Sequence, residues 1–417
     1  MKVRPTSEVS RVLVIGTCDT KSPEIDYMVQ CVRALGAEPM VMDVGVLGEA
    51  PIPTDVSKHD VAAAAGTTNA EIIALGDENH AMAATARGAG ALARQLVDDG
   101  RVDGVVILGG TMGTDLALDV ASVVPFGIPK VVLSTVAFSP LIPSDRVPTD
   151  LIMVLWAGGL YGLNEMSKVS IRQAVGAAVG AGRFEASDTV DRPIVAISSL
   201  GTTALRYIVD LVPALEARGF EAAVFHSTGM GGRALAQMAQ QGRLAAVFDL
   251  CLQEVANDFF GSQVVSGPGR LSAPGVPRLI GPGGVDMIDA VAHQPIPSPI
   301  AGYEFHQHNR LITSAKASVD DRRRVAEHIA GLLAESDAPT AFLLPRRGVG
   351  EWDRPGGPLH EPEAIAALAE ALAVHIGPPV ELIDLDCHIN DPLYTQTAME
   401  VFDAWLESGV VAVPSHG

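Results

Sequence analysis

Four parts of this sequence carry side chains that could do chemistry. The first is the run Gly16, Thr17, Cys18, Asp19, Thr20, Lys21. Set among hydroxyls, Asp19 suits Mg2+ and Lys21 suits a phosphate, although an Asp helix cap and a solvated lysine would use the same residues. The second is Gly109, Gly110, Thr111, Met112, Gly113, Thr114, whose glycines allow close backbone approach and whose N–H groups favour an anion. It is neither GxxxxGK[ST] nor GxGxxG, and a tight strand-to-helix connection without ligand is the alternative. The third is His226, Ser227, Thr228, Gly229, Met230, Gly231, Gly232, Arg233. An arginine at a helix N-terminus opposes the dipole unless an anion lies close. Thr228, Gly229, Gly231, Gly232 and Arg233 are therefore expected to hold a carboxylate or phosphate; the alternative is Arg233 paired with a local acid such as Asp249. His226, whose side chain type titrates near neutrality, is the expected proton-transfer group, oriented by Glu254 or Asp258, which share one helical face at i, i+4.

The fourth group is dispersed. His306 and His308 alternate along an extended segment, and Asp384, Asp386, His388, Asn390 and Asp391 follow a strand. These could be an acid/base pair or hard-metal ligands, but no HExxH spacing accompanies them, and surface solvation explains the acids equally well. The metal assignment stays open. Gly281 to Asp286 could form a backbone anion nest or only a turn. Cys18 as a nucleophile rests on its loop position alone.

These residues need a frame that puts loops side by side. Residues 11–15 form a continuous apolar, β-branched run, 23–35 repeat apolar residues at helical spacing, and 39–44 are again strand-like. The pattern recurs with a strand at 102–108, a helix at 115–124 and a strand at 129–134. Between them lie 56–65 and a long helix predicted over 67–97; a further helix spans 164–182. Charged residues without apolar period occupy 183–192, placing a boundary between domains 1–185 and 186–417. The second domain starts like the first, with a strand at 193–197 and a strand at 222–225, then a helix through 241, a helix at 320–333, a strand at 341–344, a helix at 361–374 and a strand at 380–385. Arg33-Ala34-Leu35-Gly36 answers Glu216-Ala217-Arg218-Gly219, and Ile128-Pro129-Lys130 answers Val276-Pro277-Arg278. Alternating strands and helices imply an α/β fold of two Rossmann-like, doubly wound parallel-sheet lobes, with internal duplication.

Composition bounds the function. A chain of 417 residues, 48% apolar and 19% charged, can bury sizeable cores and is not disordered or fibrous. Lys+Arg 29 against Asp+Glu 49 gives 29 − 49 = −20, which repels a phosphate backbone, so no nucleic-acid partner is expected. Cys18, Cys31, Cys251 and Cys387 include no CxxC pair, no stretch approaches the length of a membrane span, and no signal-peptide core is present. A cytoplasmic protein without membrane association is expected.

Nine segments in this order resemble the Tm-one-like ATP-binding domain family: 16–21, 109–114, 158–164, 224–233, Asp249 with 254–258, 281–287, 305–309, 344–348 and 388–392. The resemblance implies two Rossmann-like lobes, a nucleotide, ATP, with the first lobe, and a homo-oligomer. The residues expected to hold ATP and Mg2+ are Gly16, Thr17, Asp19, Lys21, Gly109, Gly110, Thr111, Gly113 and Thr114. One departure is Trp156-Ala157-Gly158-Gly159, where an acidic residue is expected. A TIM-barrel-like domain follows this region in the plant member, so a separately encoded partner of that kind is a further expectation. The function expected is a nucleotide-binding enzyme acting on a small carboxylate, sugar acid or phosphorylated metabolite in a cleft between the lobes. The alternative is a non-catalytic two-lobe ligand-binding or regulatory module.

Overall fold

Strand 1 explains the first unit. In β1 (Arg11–Gly16), Val12 and Val14 point to one face and Leu13 and Ile15 to the other, and all four are fully buried, because helices cover both sides. The computed structural model describes residues 10–184, 192–201, 204–267, 269–271 and 275–413. The chain divides into two compact units, Met1–Thr189 and Val190–Gly417.

The first unit continues with α1 (Ser22–Ala34), β2 (Glu38–Asp43), α2 (Lys58–Ala64), α3 (Asn69–Ala74), α4 (Glu78–Asp98), β3 (Gly104–Gly109), α5 (Thr111–Val123), β4 (Lys130–Ser134), β5 (Leu151–Leu155) and α6 (Glu165–Gly182). Its five strands are all parallel in the order β2-β1-β3-β4-β5. Helices α1 and α6 pack with Val12, Val14, Val106 and Val131 on one face, while α2, α4 and α5 pack with Leu13, Ile15, Ile107 and Val132 on the other. The helix expected over 67–97 is two helices. Thr68 Oγ1 accepts from Glu71 N at 3.2 Å and Asp77 Oδ1 from His80 N at 2.8 Å, so the run holds two N-caps, and Gly76 at φ 65° turns the chain between them.

The second unit comprises β6 (Ile194–Ser199), α7 (Ile208–Glu216), β7 (Glu221–His226), α8 (Met230–Gln240), β8 (Ala246–Cys251), α9 (Gln253–Phe259), β9 (Arg278–Gly283), β10 (Met287–Val291), β11 (Phe305–Gln307), β12 (Ile312–Lys316), α10 (Val319–Leu333), β13 (Thr340–Pro345), α11 (Pro362–His375), β14 (Glu381–Leu385) and α12 (Pro392–Glu407). Six strands form a parallel sheet ordered β14-β13-β9-β8-β6-β7, so its first five strands repeat the order of the first unit and β14 extends the edge. Helices α7 and α12 cover one face, and α8 with α9 to α11 cover the other. A separate antiparallel sheet, β10-β12-β11, is inserted between β9 and β13. Among the described residues no helix is long and apolar enough to cross a membrane.

Two glycines separate packing from propensity. A Cβ at Gly88 in α4 would fall on the Val61 carbonyl of α2, whereas a Cβ at Gly176 in α6 meets nothing within 4 Å. Gly88→Ala is expected to lower stability by about 1–3 kcal/mol and Gly176→Ala to raise it by roughly 0.5–1 kcal/mol, read by urea unfolding.

Candidate functional site

In a parallel sheet of order 2-1-3-4-5, chains leave β1 and β3 toward opposite faces, which opens a crevice beyond their carboxyl ends. The first unit has a cavity of about 420 Å³ there. Thr17, Asp19 and Thr20 line it from the loop after β1, Val44 to Leu47 from the loop after β2, and Met112, Gly113 and Leu116 from the start of α5. The hairpin of α3 and α4 closes it with Ile72, Ile73, Asp77, Glu78, Met82 and Thr85. Asp43 holds two of these loops together, since its Oδ1 accepts from Cys18 N at 2.9 Å and Gly45 N at 2.8 Å. Asp19 Oδ2 accepts from Gly48 N at 3.0 Å, while its Oδ1 is buried without a partner among the described residues. Lys58, nearly fully buried, anchors the same loop through Gly48 O at 2.9 Å and Glu49 at 2.7 Å.

The nine residues expected to hold the nucleotide fall into four sets. Thr17, Asp19 and Gly113 line the cavity. Gly110 is the N-cap of α5 and faces open space, and Thr111 beside it is exposed, so both stand at the helix N-terminus, whose first turn holds no acid. Gly16, Gly109 and Thr114 build turns. A Cβ at Gly16 would press on Ile25 and one at Gly109 on the backbone of Gly113 and Thr114, and Thr114 Oγ1 lies 2.7 Å from Ser134 Oγ. Lys21 is directed elsewhere: its Nζ donates to Leu160 O at 2.5 Å and sits 5.2 Å from the Tyr161 ring centre. No lining side chain is basic. The apolar wall from α3 and α4 was not anticipated; the break at Gly76 and Asp77 was the only signal for it. Cys18 is buried, and burial with the Asp43 and Asp19 carboxylates pushes its thiol far up, which removes it as a nucleophile.

In the second unit the corresponding crevice, beyond β6 and β8, is filled by the chain's own charges. Arg270 is buried there, donating to Asp249 Oδ1 at 2.7 Å and Oδ2 at 3.0 Å, to Cys251 O at 2.5 Å and to Glu254. Ser198 Oγ donates to Asp249 Oδ1 at 2.7 Å. Glu254 Oε1 accepts from Gly229 N and, at 3.3 Å, from Gly232 N, so the N-terminus of α8 already holds a carboxylate. Gly229, at φ 101°, makes the turn that aims these N–H groups, and a Cβ at Gly232 would collide with Glu254. Burial pushes the Glu254 carboxyl up, opposed by Arg270 and the two N–H groups. Arg233 is largely buried, with Nη2 donating to Val265 O at 3.2 Å and Nη1 beside Met230 Sδ; Asp249, the alternative partner considered for it, pairs with Arg270. His226 and Asp258 are exposed and Thr228 half-buried. His226, Glu254 and Asp258 do not form a hydrogen-bonded set: Glu254 is engaged by Arg270 and α8, and Asp258 is exposed to solvent. Gly231 packs on the His226 backbone.

A second buried polar group follows β9, β13 and β14. Asp353 Oδ2 accepts from Val349 N at 2.7 Å and its Oδ1 lies 2.9 Å from His388 Nε2. His388 Nδ1 accepts from Asn390 N at 3.1 Å, which places the ring proton on Nε2. Asp286 and Arg322 are buried beside them. Burial and then Asp353 raise the Asp286 carboxyl to about 6, opposed by Arg322 and His388. Asp384 and Asp386 are paired with Arg346 and Arg347. His306 is exposed on β11 and the His308 ring lies 5.6 Å from that of Trp352, tilted to it; among the described residues no three His, Cys, Asp or Glu side chains are grouped to hold a metal.

Residues 10–187 match the model of the Uncharacterised protein family (UPF0261) N-terminal domain and residues 192–406 that of its C-terminal domain. A UPF0261 protein of Brucella suis is 47% identical over 404 residues, covering 96% of this chain and 97% of that protein. One of Rhizobium meliloti is 31% identical, covering 94% and 98%. The ToMV resistance protein Tm-1 of Solanum lycopersicum is 28% identical over 95% of this chain and 56% of its own length.

Arg270→Met is expected to destabilise the second unit by about 3–5 kcal/mol, because Asp249 and Glu254 would be left buried and unpaired. Thermal unfolding checks it. A carboxyl that titrates higher folded than unfolded favours folding only where it is protonated. Relative to Asp286→Asn, the wild type should lose roughly 3 kcal/mol of stability as pH rises from about 4 through about 6, with no further change above that. Paired urea titrations across that window read the difference.

Proposed function

The chain belongs to the UPF0261 family, and we propose that its first unit binds a nucleotide, ATP with Mg2+, beyond β1 and β3. The observation that carries this reading is the cavity of about 420 Å³ at the strand ends, into which the N-terminus of α5 opens. Val44, Val46, Ile72, Ile73, Met82 and Leu116 supply an apolar wall suited to a base. Gly110 and Thr111 suit a phosphate, and the unpartnered Asp19 Oδ1 suits Mg2+ or a ribose hydroxyl. With no basic lining residue, Mg2+ and the helix dipole would carry the neutralisation of the phosphates.

The proposed activity is an enzyme using that nucleotide on a small carboxylate, sugar acid or phosphorylated metabolite. A cytoplasmic homo-oligomer, with a separately encoded TIM-barrel-like partner, belongs to the same proposal. A binding or regulatory module without chemistry is the second reading, favoured by Glu254 being engaged by Arg270 and Asp258 facing solvent.

Calorimetry of the full chain with Mg-ATP, followed by assay of the same sample for ADP, AMP and phosphate, tests both. Binding is expected in the wild type, and Gly110→Asp, which sets a carboxylate against the phosphate, should weaken it by on the order of tenfold or more. No binding at millimolar ATP rejects the nucleotide reading, and binding without product selects the module.

A further inference from the structure

Arg322 and Asp286 stand out because both are buried and, among the described residues, neither charged end is closed by a hydrogen bond, although the two charges feel each other. Among the described residues, neither carboxylate oxygen of Asp286 and neither Nη of Arg322 has a hydrogen-bond partner. They are brought together by one residue: Ala317 N donates to Asp286 O at 2.9 Å, and Ala317 O accepts from Arg322 Nε at 3.2 Å. That leaves the two terminal N–H groups of a guanidinium fork and two carboxylate oxygens uncommitted in one region. Gln253 adds a third group: its Oε1 is buried and unpartnered among the described residues, and its Cβ would lie 3.1 Å from a side chain at Gly284, two residues before Asp286. The neighbouring acid does not satisfy Arg322, because Asp353 is already engaged by His388 and Val349 N.

The position is one where ligands bind. Asp286 follows β9, and Asp353 and His388 follow β13 and β14, so the region lies beyond the carboxyl ends of three adjacent parallel strands. Burying a lone carboxylate or guanidinium is costly, and a group that answers both must present an acceptor pair to the fork and a donor to the acid. A carboxylate matches two N–H groups in one plane, and a hydroxyl beside it donates to Asp286 or Gln253.

We propose that Arg322, Asp286 and Gln253 form a binding site for a small hydroxycarboxylate, the carboxylate on the Arg322 fork and the hydroxyl on Asp286. This site belongs to the second unit alone and does not rest on the nucleotide reading. It also differs from the segment 226–233, where Glu254 takes the place of an external anion.

The test is calorimetry of the full chain with lactate, glycerate, malate and gluconate, with acetate and inorganic phosphate as controls. At least one hydroxycarboxylate should bind, with acetate weaker by on the order of a hundredfold, because acetate leaves Asp286 unanswered. Arg322→Gln should abolish binding, and Asp286→Asn should retain carboxylate affinity while losing the preference for the hydroxyl. Gly110→Asp should change neither. Should Arg322→Gln not fold, the isosteric Asp286→Asn and a crystal structure soaked with the best probe decide the matter. The proposal is overturned if no hydroxycarboxylate binds the wild type at millimolar concentration, if acetate or phosphate binds as well, if Asp286→Asn keeps the preference, or if only water bridges Asp286 and Arg322 in the soaked crystal.

Discussion

A parallel strand covered by helices on both faces has nowhere along its length for a polar side chain that must meet a ligand. Val12 to Ile15 in β1 and Val105 to Leu108 in β3 are apolar throughout for this reason. Polar groups therefore collect at the carboxyl ends of the strands, where the backbone turns toward a helix and N–H groups lie free. Asp19, Asp43, Gly110, Asp286 and His388 all follow or end a strand in this way, and Ser198 and Asp249 lie in the last half of theirs. The placement of these groups follows from the burial of the sheet.

The two units apply the same strand order to opposite ends. In the first, the crevice is walled by apolar residues from an added helical hairpin and stays open at the N-terminus of α5. In the second, the segment after α9 brings Arg270 into the crevice, and Glu254 takes the N–H groups of α8. Arg270 is held by two carboxylates and a carbonyl, so its burial is stable only while all of them are present. A glycine-rich strand-to-helix loop is thus evidence of an anion at the helix start, and the anion can be a side chain of the same protein.

That distinction marks how far the sequence could be read. Strand and helix alternation, and hence both sheets, were legible because continuous β-branched runs and 3.6-residue periodicity are local properties. Loops 16–21 and 109–114 were legible as a pair because each follows a strand, and residues of both meet one cavity. The direction of Lys21 was not, since Leu160 and Tyr161 are some 140 positions away in the chain and no spacing links them. Arg270 and Arg322 were passed over for a related reason. One lies in a glycine-rich connection and the other in the run Asp320 to Val325, which reads as a solvated helix face; Arg322 is instead buried, its Nε on the carbonyl of Ala317, whose N–H donates to Asp286 O. The single helix expected over 67–97 failed on chemistry that was present, the caps Thr68 and Asp77, which periodicity alone does not weigh.

The two buried arginines carry the argument furthest when set side by side. Both are almost wholly removed from solvent, and both lie at the carboxyl ends of the same parallel sheet. For Arg270 the opposing charge is internal, so the site is complete as folded and would have to come apart to accept a ligand. For Arg322 the opposing acid, Asp286, has no hydrogen-bond partner on its carboxylate among the described residues, so the charges are arranged but not joined. An apolar residue in α10 would bury the same surface without the desolvation cost. A guanidinium at that position is therefore poorly explained by packing, and well explained by an occupant whose own charge and hydroxyl complete it.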